Sequence, residues 1–159
     1  SLTSFPSINT SSGTSFGNAW RGCSGLTSFS ALDFSSGTSF GDAWRECSNL
    51  VEFPSVDFSS ATNFRRTWIH NGSLTTYPAD QFDTTGTLAS GAFSQAWQNC
   101  ALTAQSIENI LTSLDTNGAQ NITLDINGGT NAAKTTWSSA ANTAYTNLVN
   151  KGWTISYNA

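Results

Sequence analysis

The stretch from Gly25 to Ser48, GLTSFSALDFSSGTSFGDAWRECS, is flanked on both sides by imperfect copies of itself. Leu2, Leu26, Leu50 and Leu74 recur 24 residues apart, and so do Phe5, Phe29, Phe53 and Tyr77. Phe16, Phe40 and Phe64 keep the same interval, as do Trp20, Trp44 and Trp68. Within one copy, Leu2 to Phe5 reads as a short strand closed by Pro6, and Ser11-Ser12-Gly13 as a turn. Phe16, Ala19, Trp20 and Cys23 then follow at spacings of 3, 4 and 7, the apolar stripe of a two-turn helix.

A strand plus a short helix cannot bury its own apolar face, and a period of 20–29 residues is the mark of a leucine-rich-repeat array. The predicted fold class is therefore an α/β solenoid of 24-residue strand-plus-short-helix units. The second copy supplies Leu26, Phe29, Leu32, Phe40, Ala43, Trp44 and Cys47, and the third Leu50, Phe53, Val56, Phe64, Trp68 and Asn71. In the fourth, Leu74 and Tyr77 are on time, but Phe93, Ala96, Trp97 and Cys100 arrive about five positions late. An insertion within 81–91, rich in Asp, Thr and Gly, accounts for the delay.

Beyond Cys100 the pattern changes. Ser106 is the expected N-cap of a helix burying Ile107, Ile110, Leu111 and Leu114, ended by Asn117-Gly118. Ile122 to Ile126 alternates like a half-buried strand. A longer helix is expected from Asn131 to Lys151, with Ala133, Trp137, Ala140, Ala141, Ala144, Tyr145 and Leu148 inward, and Trp153 to Tyr157 as a closing strand. Residues 1–101 thus read as four leucine-rich repeats and 102–159 as a C-terminal α/β cap of the same continuous domain.

Only 10 % of the 159 residues are charged, against about 25 % in an average soluble domain, and Ser, Thr, Asn and Gly fill the difference. Six basic and ten acidic residues give a net charge of −4, with no basic run longer than Arg65-Arg66. That excludes a nucleic-acid partner, which needs a dense positive stripe. No apolar stretch approaches the roughly 20 residues of a membrane span, so membrane insertion is not expected.

The chemical motifs dissolve on inspection. Gly13-Thr14-Ser15-Phe16-Gly17 matches a nucleophile elbow, but it recurs at Gly37 to Gly41 and the chain has a single histidine, His70. One histidine without a Cys-x-x-Cys pair offers zinc no ligand set. Asn9, Asp33 and Asp57 share one position of the period, with Asp80 or Asp83 as a fourth; an Asp followed by Ser is more often a turn cap than a calcium ligand. Cys23, Cys47 and Cys100 each follow a tryptophan by three residues and read as small buried side chains. Trp20, Trp44, Trp68 and Trp97 read as core. No catalytic residue, metal site or cofactor is expected.

Two surfaces remain. Thr3-Ser4, Thr27-Ser28, Glu52 and Thr75-Thr76 fall between the first two core positions of each copy and would line the exposed strand face with hydroxyls. Leu2, Phe5 and Ile8 occupy core positions of the first copy in the sequence and are expected to present an open edge, covered either by further chain before it in the natural protein or by another subunit, as an assembly edge.

The motif Leu-x-x-Phe-Pro-x-(Ile/Val)-x-x-Ser-Ser, followed by Phe-x-x-(Ala/Thr)-Trp-x-x-Cys, resembles the BspA-like leucine-rich repeats of bacterial surface proteins. It is especially similar to the Ser/Thr-rich variety found in structural proteins of marine cyanobacterial phages. The likeness covers Leu2 to about Cys100, with Ser30 replacing proline in the second copy and Asn71 replacing cysteine in the third. Leu124 to Asn131 and Lys151 to Ile155 are similar to the closing module of such arrays. The resemblance implies a non-enzymatic protein on the exterior of a virion, as a decoration or tail-fibre component, or on a cell surface. Its partners would be other structural subunits, further copies of itself, or a host surface glycan or protein.

Overall fold

In the computed structural model, which describes residues 2–6 and 8–159, the regular secondary structure of the described residues all lies from Ala104 onward. It comprises α1 (Ala104–Asn117), β1 (Thr123–Asp125), a single 3-10 turn (Lys134–Thr136), α2 (Ser139–Asn150) and β2 (Thr154–Ser156). β1 and β2 form a two-stranded parallel sheet with Leu124 opposite Ile155.

The predicted α/β solenoid of leucine-rich-repeat units is therefore overturned: among the described residues no strand-plus-helix unit forms before residue 104. The segments expected to be short helices, at 16–23, 40–47, 64–71 and 93–100, are runs of turns, and the expected strands at 2–5, 26–29, 50–53 and 74–77 contribute only the isolated bridge Glu52↔Thr76. The cause is visible in the backbone. Asn18, Asp42, Arg66 and Gln95 have φ of 59°, 58°, 57° and 57°, and four residues later Gly22, Glu46, His70 and Asn99 have 72°, 63°, 63° and 59°. A left-handed residue at every fourth position stops the i→i−4 ladder of an α-helix. The chain closes overlapping four-residue turns instead: the Ala19, Arg21 and Cys23 N–H groups donate to the Phe16, Asn18 and Trp20 carbonyls at 3.1, 3.2 and 3.1 Å.

The alternate N–H groups are thereby freed for longer-range bonds. Phe16, Asn18, Trp20 and Gly22 donate to the carbonyls of Ser39, Gly41, Ala43 and Arg45 at 2.8, 3.0, 2.9 and 2.8 Å. Phe40, Asp42, Trp44 and Glu46 donate in the same way to Asn63, Arg65, Thr67 and Ile69. Phe64, Arg66, Trp68 and His70 follow, onto Ala92, Ser94, Ala96 and Gln98. The offset from Phe64 to Ala92 is 28 residues where that from Phe16 to Ser39 is 23, so five extra residues lie between.

What favours this backbone over helices is the spacing of the rings. Trp20, Trp44, Trp68 and Trp97 stack face to face with centroids 5.0, 6.0 and 4.8 Å apart, tilted by no more than 9°. Phe16, Phe40, Phe64 and Phe93 make a second column at 5.3, 5.8 and 5.1 Å, and Phe5, Phe29, Phe53 and Tyr77 a third at 5.6, 6.2 and 5.6 Å. Packed helices stand about 8–10 Å apart, whereas backbones hydrogen-bonded to each other stand about 4.8 Å apart. Only the second distance lets flat rings stack. A fourth column, Phe34, Phe58 and Phe82, is fully buried and was not singled out in the sequence.

Beside the tryptophan column runs a row of polar side chains. Cys47 Sγ donates to the Trp20 carbonyl at 3.1 Å, Asn71 Nδ2 to that of Trp44 at 3.0 Å, Cys100 Sγ to that of Trp68 at 3.0 Å and Asn131 Nδ2 to that of Trp97 at 2.9 Å. The apparent exception at Asn71 thus does the same work as the cysteines, which are all free. Each side chain adds a hydrogen bond to a tryptophan carbonyl, and those of Trp20 and Trp44 also accept from the Cys23 and Cys47 N–H groups.

At the C-terminal end, Thr103, not Ser106, caps α1, its hydroxyl accepting from the Ser106 N–H at 3.2 Å. Ser106 is buried and ties α1 to the preceding segment by donating to the Thr75 carbonyl at 2.8 Å and accepting from the Tyr77 N–H at 3.0 Å. Ile107, Ile110, Leu111 and Leu114 are buried as the spacing predicts. The long helix expected from Asn131 to Lys151 is broken, because Ser138 caps α2 by accepting from the Ala141 N–H at 3.0 Å. Trp137, Ala141, Ala144 and Leu148 point inward, Ala133 and Tyr145 are half-buried, and Ala140 is exposed. The Trp97 and Asn99 N–H groups donate to the Asp125 and Asn127 carbonyls, so this region receives the last row of donors.

Candidate functional site

The exposed hydroxyl face is present in space. Thr3, Ser4, Thr27, Ser28, Glu52 and Thr76 are exposed and Thr75 is half-buried. The backbone between them is tied by the Val51 N–H to Thr27 carbonyl bond at 3.1 Å, the Thr75 N–H to Val51 carbonyl bond at 2.9 Å and the Glu52↔Thr76 bridge. Val51, 46 % exposed, adds a large apolar side chain to this face. Its chemistry is that of a flat hydroxyl surface with a single carboxylate, able to exchange hydrogen bonds and without an aromatic anchor.

The open edge is sharper. Leu2 and Ile8 are 43 % and 47 % exposed, and Phe5 and Phe16 are half-buried, whereas their counterparts Phe29 and Phe40 are 6 % and 0 % exposed. Phe5 lies flat on Phe29 at 5.6 Å and edge-on to Trp20 at 5.3 Å, so each of its rings' contacts is with later residues. The main chain here is also incomplete. By position, the carbonyls of Ser15, Gly17, Ala19 and Arg21 correspond to those of Ser39, Gly41, Ala43 and Arg45, which are all bonded. Among the described residues nothing donates to these four. The sequence supplied the apolar half of this edge; the carbonyl row depends on turn geometry and had no signal in residue type.

The catalytic decoys do not assemble. Ser15 and Ser39 pair with each other in a backbone bridge, and His70 Nδ1 faces Asn99 Nδ2 at 3.3 Å on the surface. Asn9, Asp33 and Asp57 cap turns, accepting from the Ser11, Ser35 and Ser59 N–H groups at 3.1, 3.0 and 2.8 Å. The hydroxyl and N–H of Ser35 hold the Asp33 carboxyl below its usual range. Among the described residues no three His, Cys, Asp or Glu side chains come together as a metal would need, and no helix is long and apolar enough to cross a membrane.

Two charged constellations escaped the sequence reading because each is completed by a residue well away along the chain, Arg66 in one and Tyr157 in the other. Asp42, 9 % exposed, bonds Arg45 at 3.2 Å and Arg66 at 3.0 Å, and Arg45 also bonds Glu46 at 3.0 Å. This network straps successive layers from outside, and the two carboxylates hold the Arg45 guanidinium above its usual range. Lys134 Nζ sits 3.5, 4.9 and 6.0 Å from the ring centroids of Tyr145, Tyr157 and Trp137, a cation enclosed by aromatic faces. The hydrogen bond its hydroxyl donates to Tyr157, and then burial, raises the Tyr145 phenol above its ordinary range. An open groove between 85–88 and 117–120 is lined by Thr85, Leu88, Asn117 and Gln120 and carries no charge.

The buried thiols give the interior a pH signature. Burial pushes Cys47 and Cys100 from the ordinary 9.0 up to about 12, and it raises the fully buried Tyr77 phenol as well. In the unfolded chain these groups ionise first, so the stability they contribute is complete below about pH 9 and drains away as pH climbs toward 12. Urea unfolding followed between about pH 8 and 11 is expected to show a falling midpoint. At neutral pH a thiol reagent should modify half-buried Cys23 in the native protein, and reach Cys47 and Cys100 only on unfolding.

Comparison of the chain with protein-family models, with curated proteins and with solved structures finds no match.

Proposed function

We propose that this chain is a non-enzymatic structural and interaction protein, displayed on the exterior of a virion or cell, that assembles through the edge formed by Leu2, Phe5 and Ile8. The observation that carries the reading is the asymmetry of the first layer: its apolar side chains and its row of carbonyls are uncovered, while the equivalent groups of the later layers are buried and bonded. Apolar surface beside unpaired main-chain acceptors is the composition of an interface awaiting its partner. The placement on an exterior rests on the sparsely charged, Ser- and Thr-rich composition and on the resemblance to phage and bacterial surface proteins.

Phe5→Asp places a carboxylate against Trp20 and Phe29 at the rim and is expected to abolish concentration-dependent association in mass photometry. Because Phe5 is only half-buried, circular dichroism should stay native. Unchanged association would refute the edge as the assembly surface. A second reading has its own support in the exposed hydroxyls of Thr3, Ser4, Thr27, Ser28 and Thr76: adhesion to a host surface polysaccharide through that face. A glycan array probed with the protein and with the Thr27→Ala, Ser28→Ala double variant tests it, a signal lost in the variant being the expected result.

A further inference from the structure

The groove between residues 85–88 and 117–120 shares no residue with the hydroxyl face or with the open edge. Its volume of about 580 Å³ falls within the roughly 300–1,000 Å³ of small-molecule sites. Both walls are held in place by bonds outside the groove's own free groups. On one side Asn117 Nδ2, at the end of α1, donates to the Phe82 carbonyl and the Thr85 hydroxyl, each at 3.0 Å, and further on the Thr123 N–H donates to the Ser90 carbonyl at 2.8 Å. The chain between is pinned at its two ends. On the other side Asn117 Oδ1 accepts from the Ala119 N–H at 3.3 Å, and the Ala119 carbonyl accepts from Trp153 Nε1 at 2.8 Å. Walls fixed before a ligand arrives lose little to ordering when it binds.

Between those anchors the polar groups are unpaired. Residues 86–88 run without a turn or bridge, and among the described residues the N–H and carbonyl groups of Gly86, Thr87 and Leu88 have no hydrogen-bond partner. The same holds for the main chain and the side-chain amide of Gln120 on the opposite wall. The lining carries no charge, and Leu88 is its one large apolar side chain.

This combination selects a ligand chemistry. An ion would meet no counter-charge, and an apolar ligand would leave the main-chain groups dry and unpaired. An added peptide strand takes affinity from a main-chain ladder and specificity from pockets for alternate side chains, and three residues beside one leucine supply neither. A hydroxyl both donates and accepts, so a run of sugar hydroxyls matches N–H and carbonyl groups alike. We propose that this groove binds a neutral oligosaccharide, the main chain of Gly86, Thr87 and Leu88 and the Gln120 amide holding its hydroxyls, with Leu88 against the apolar face of a ring. The site is separate from the hydroxyl face around Thr27 and Ser28, and the two are told apart by which variant removes binding.

Amide-resolved NMR of the whole chain, titrated with uncharged hexose and N-acetylhexosamine oligomers, tests the proposal. A bound oligomer should shift the Gly86, Thr87, Leu88 and Gln120 amide signals and slow their exchange with solvent. Thr87→Trp fills the groove and Gln120→Ala removes an amide. Both side chains are exposed and make no hydrogen bond among the described residues, so the remaining amide signals should stay native. Together the two substitutions are expected to weaken binding about tenfold or more. The Thr27→Ala, Ser28→Ala double variant should bind as the unmodified chain does. Shifts confined to residues 3–4, 27–28, 51–52 and 75–76, with binding kept in the groove variant, would retain polysaccharide adhesion and remove the groove as its site. Groove amides that no neutral oligomer moves at millimolar concentration, or that move only with an extended peptide, overturn the proposal.

Discussion

Replacing Trp44 by alanine is expected to destabilise the protein by about 3–5 kcal/mol, the range for truncating a buried aromatic side chain. Trp44 is fully buried between Trp20 and Trp68, which stack on its two faces at 5.0 and 6.0 Å, while Phe29 and Phe53 meet it edge-on at 5.2 and 4.8 Å. The cavity cannot collapse by a slide of one neighbour, because the layers above and below are fixed by four main-chain hydrogen bonds each. Trp20, stacked on one face only and at the open edge, makes the internal comparison: Trp20→Ala should cost distinctly less. Denaturant midpoints of the two variants measure the difference. Equal losses would mean that the columns are not the source of the stability.

Gly129→Ala is the second large effect, and it acts through the backbone. Gly129 has φ of 57°, and a β-carbon there would lie 2.3 Å from the Cys100 carbonyl oxygen, which already accepts from the Thr130 N–H at 2.9 Å. The left-handed conformation alone costs about 1–2 kcal/mol with a side chain. The overlap with fixed backbone brings the expected loss to about 3 kcal/mol or more. Gly22, with φ of 72° and nothing within 4 Å of a β-carbon, isolates the first contribution: Gly22→Ala should cost only about 1 kcal/mol. Thermal melts of the pair suffice, and a Gly129→Ala protein as stable as Gly22→Ala would show that the junction between Cys100 and the C-terminal region relaxes freely.

Several features of this molecule were legible in the order of residues. The 24-residue recurrence placed Trp20, Trp44, Trp68 and Trp97 at matching, buried positions, and they form one column. The apolar faces of α1 and of the end of α2 followed from spacings of 3 and 4, and β1 and β2 from alternation.

The secondary structure of each copy was not legible, because Phe-x-x-Ala-Trp-x-x-Cys has helical spacing whether or not a helix forms. Spacings of 3 and 4 record which side chains share a face, and a chain of four-residue turns with left-handed residues at Asn18 and Gly22 brings the same ones together. The polar Asn, Asp, Arg, Gln, Glu and His at the later left-handed positions gave no common signal, since only Asn, Asp and His among them favour that region. The break at Ser138 was similarly masked by apolar residues on either side of it.

The sequence by itself determined the periodicity and many of the buried residues, because both depend on residue type and interval alone. The tertiary structure decided the backbone that carries the period. Rings can stack at 5–6 Å only if neighbouring main chains approach to hydrogen-bonding distance, a requirement between distant residues that overrode the local helical preference.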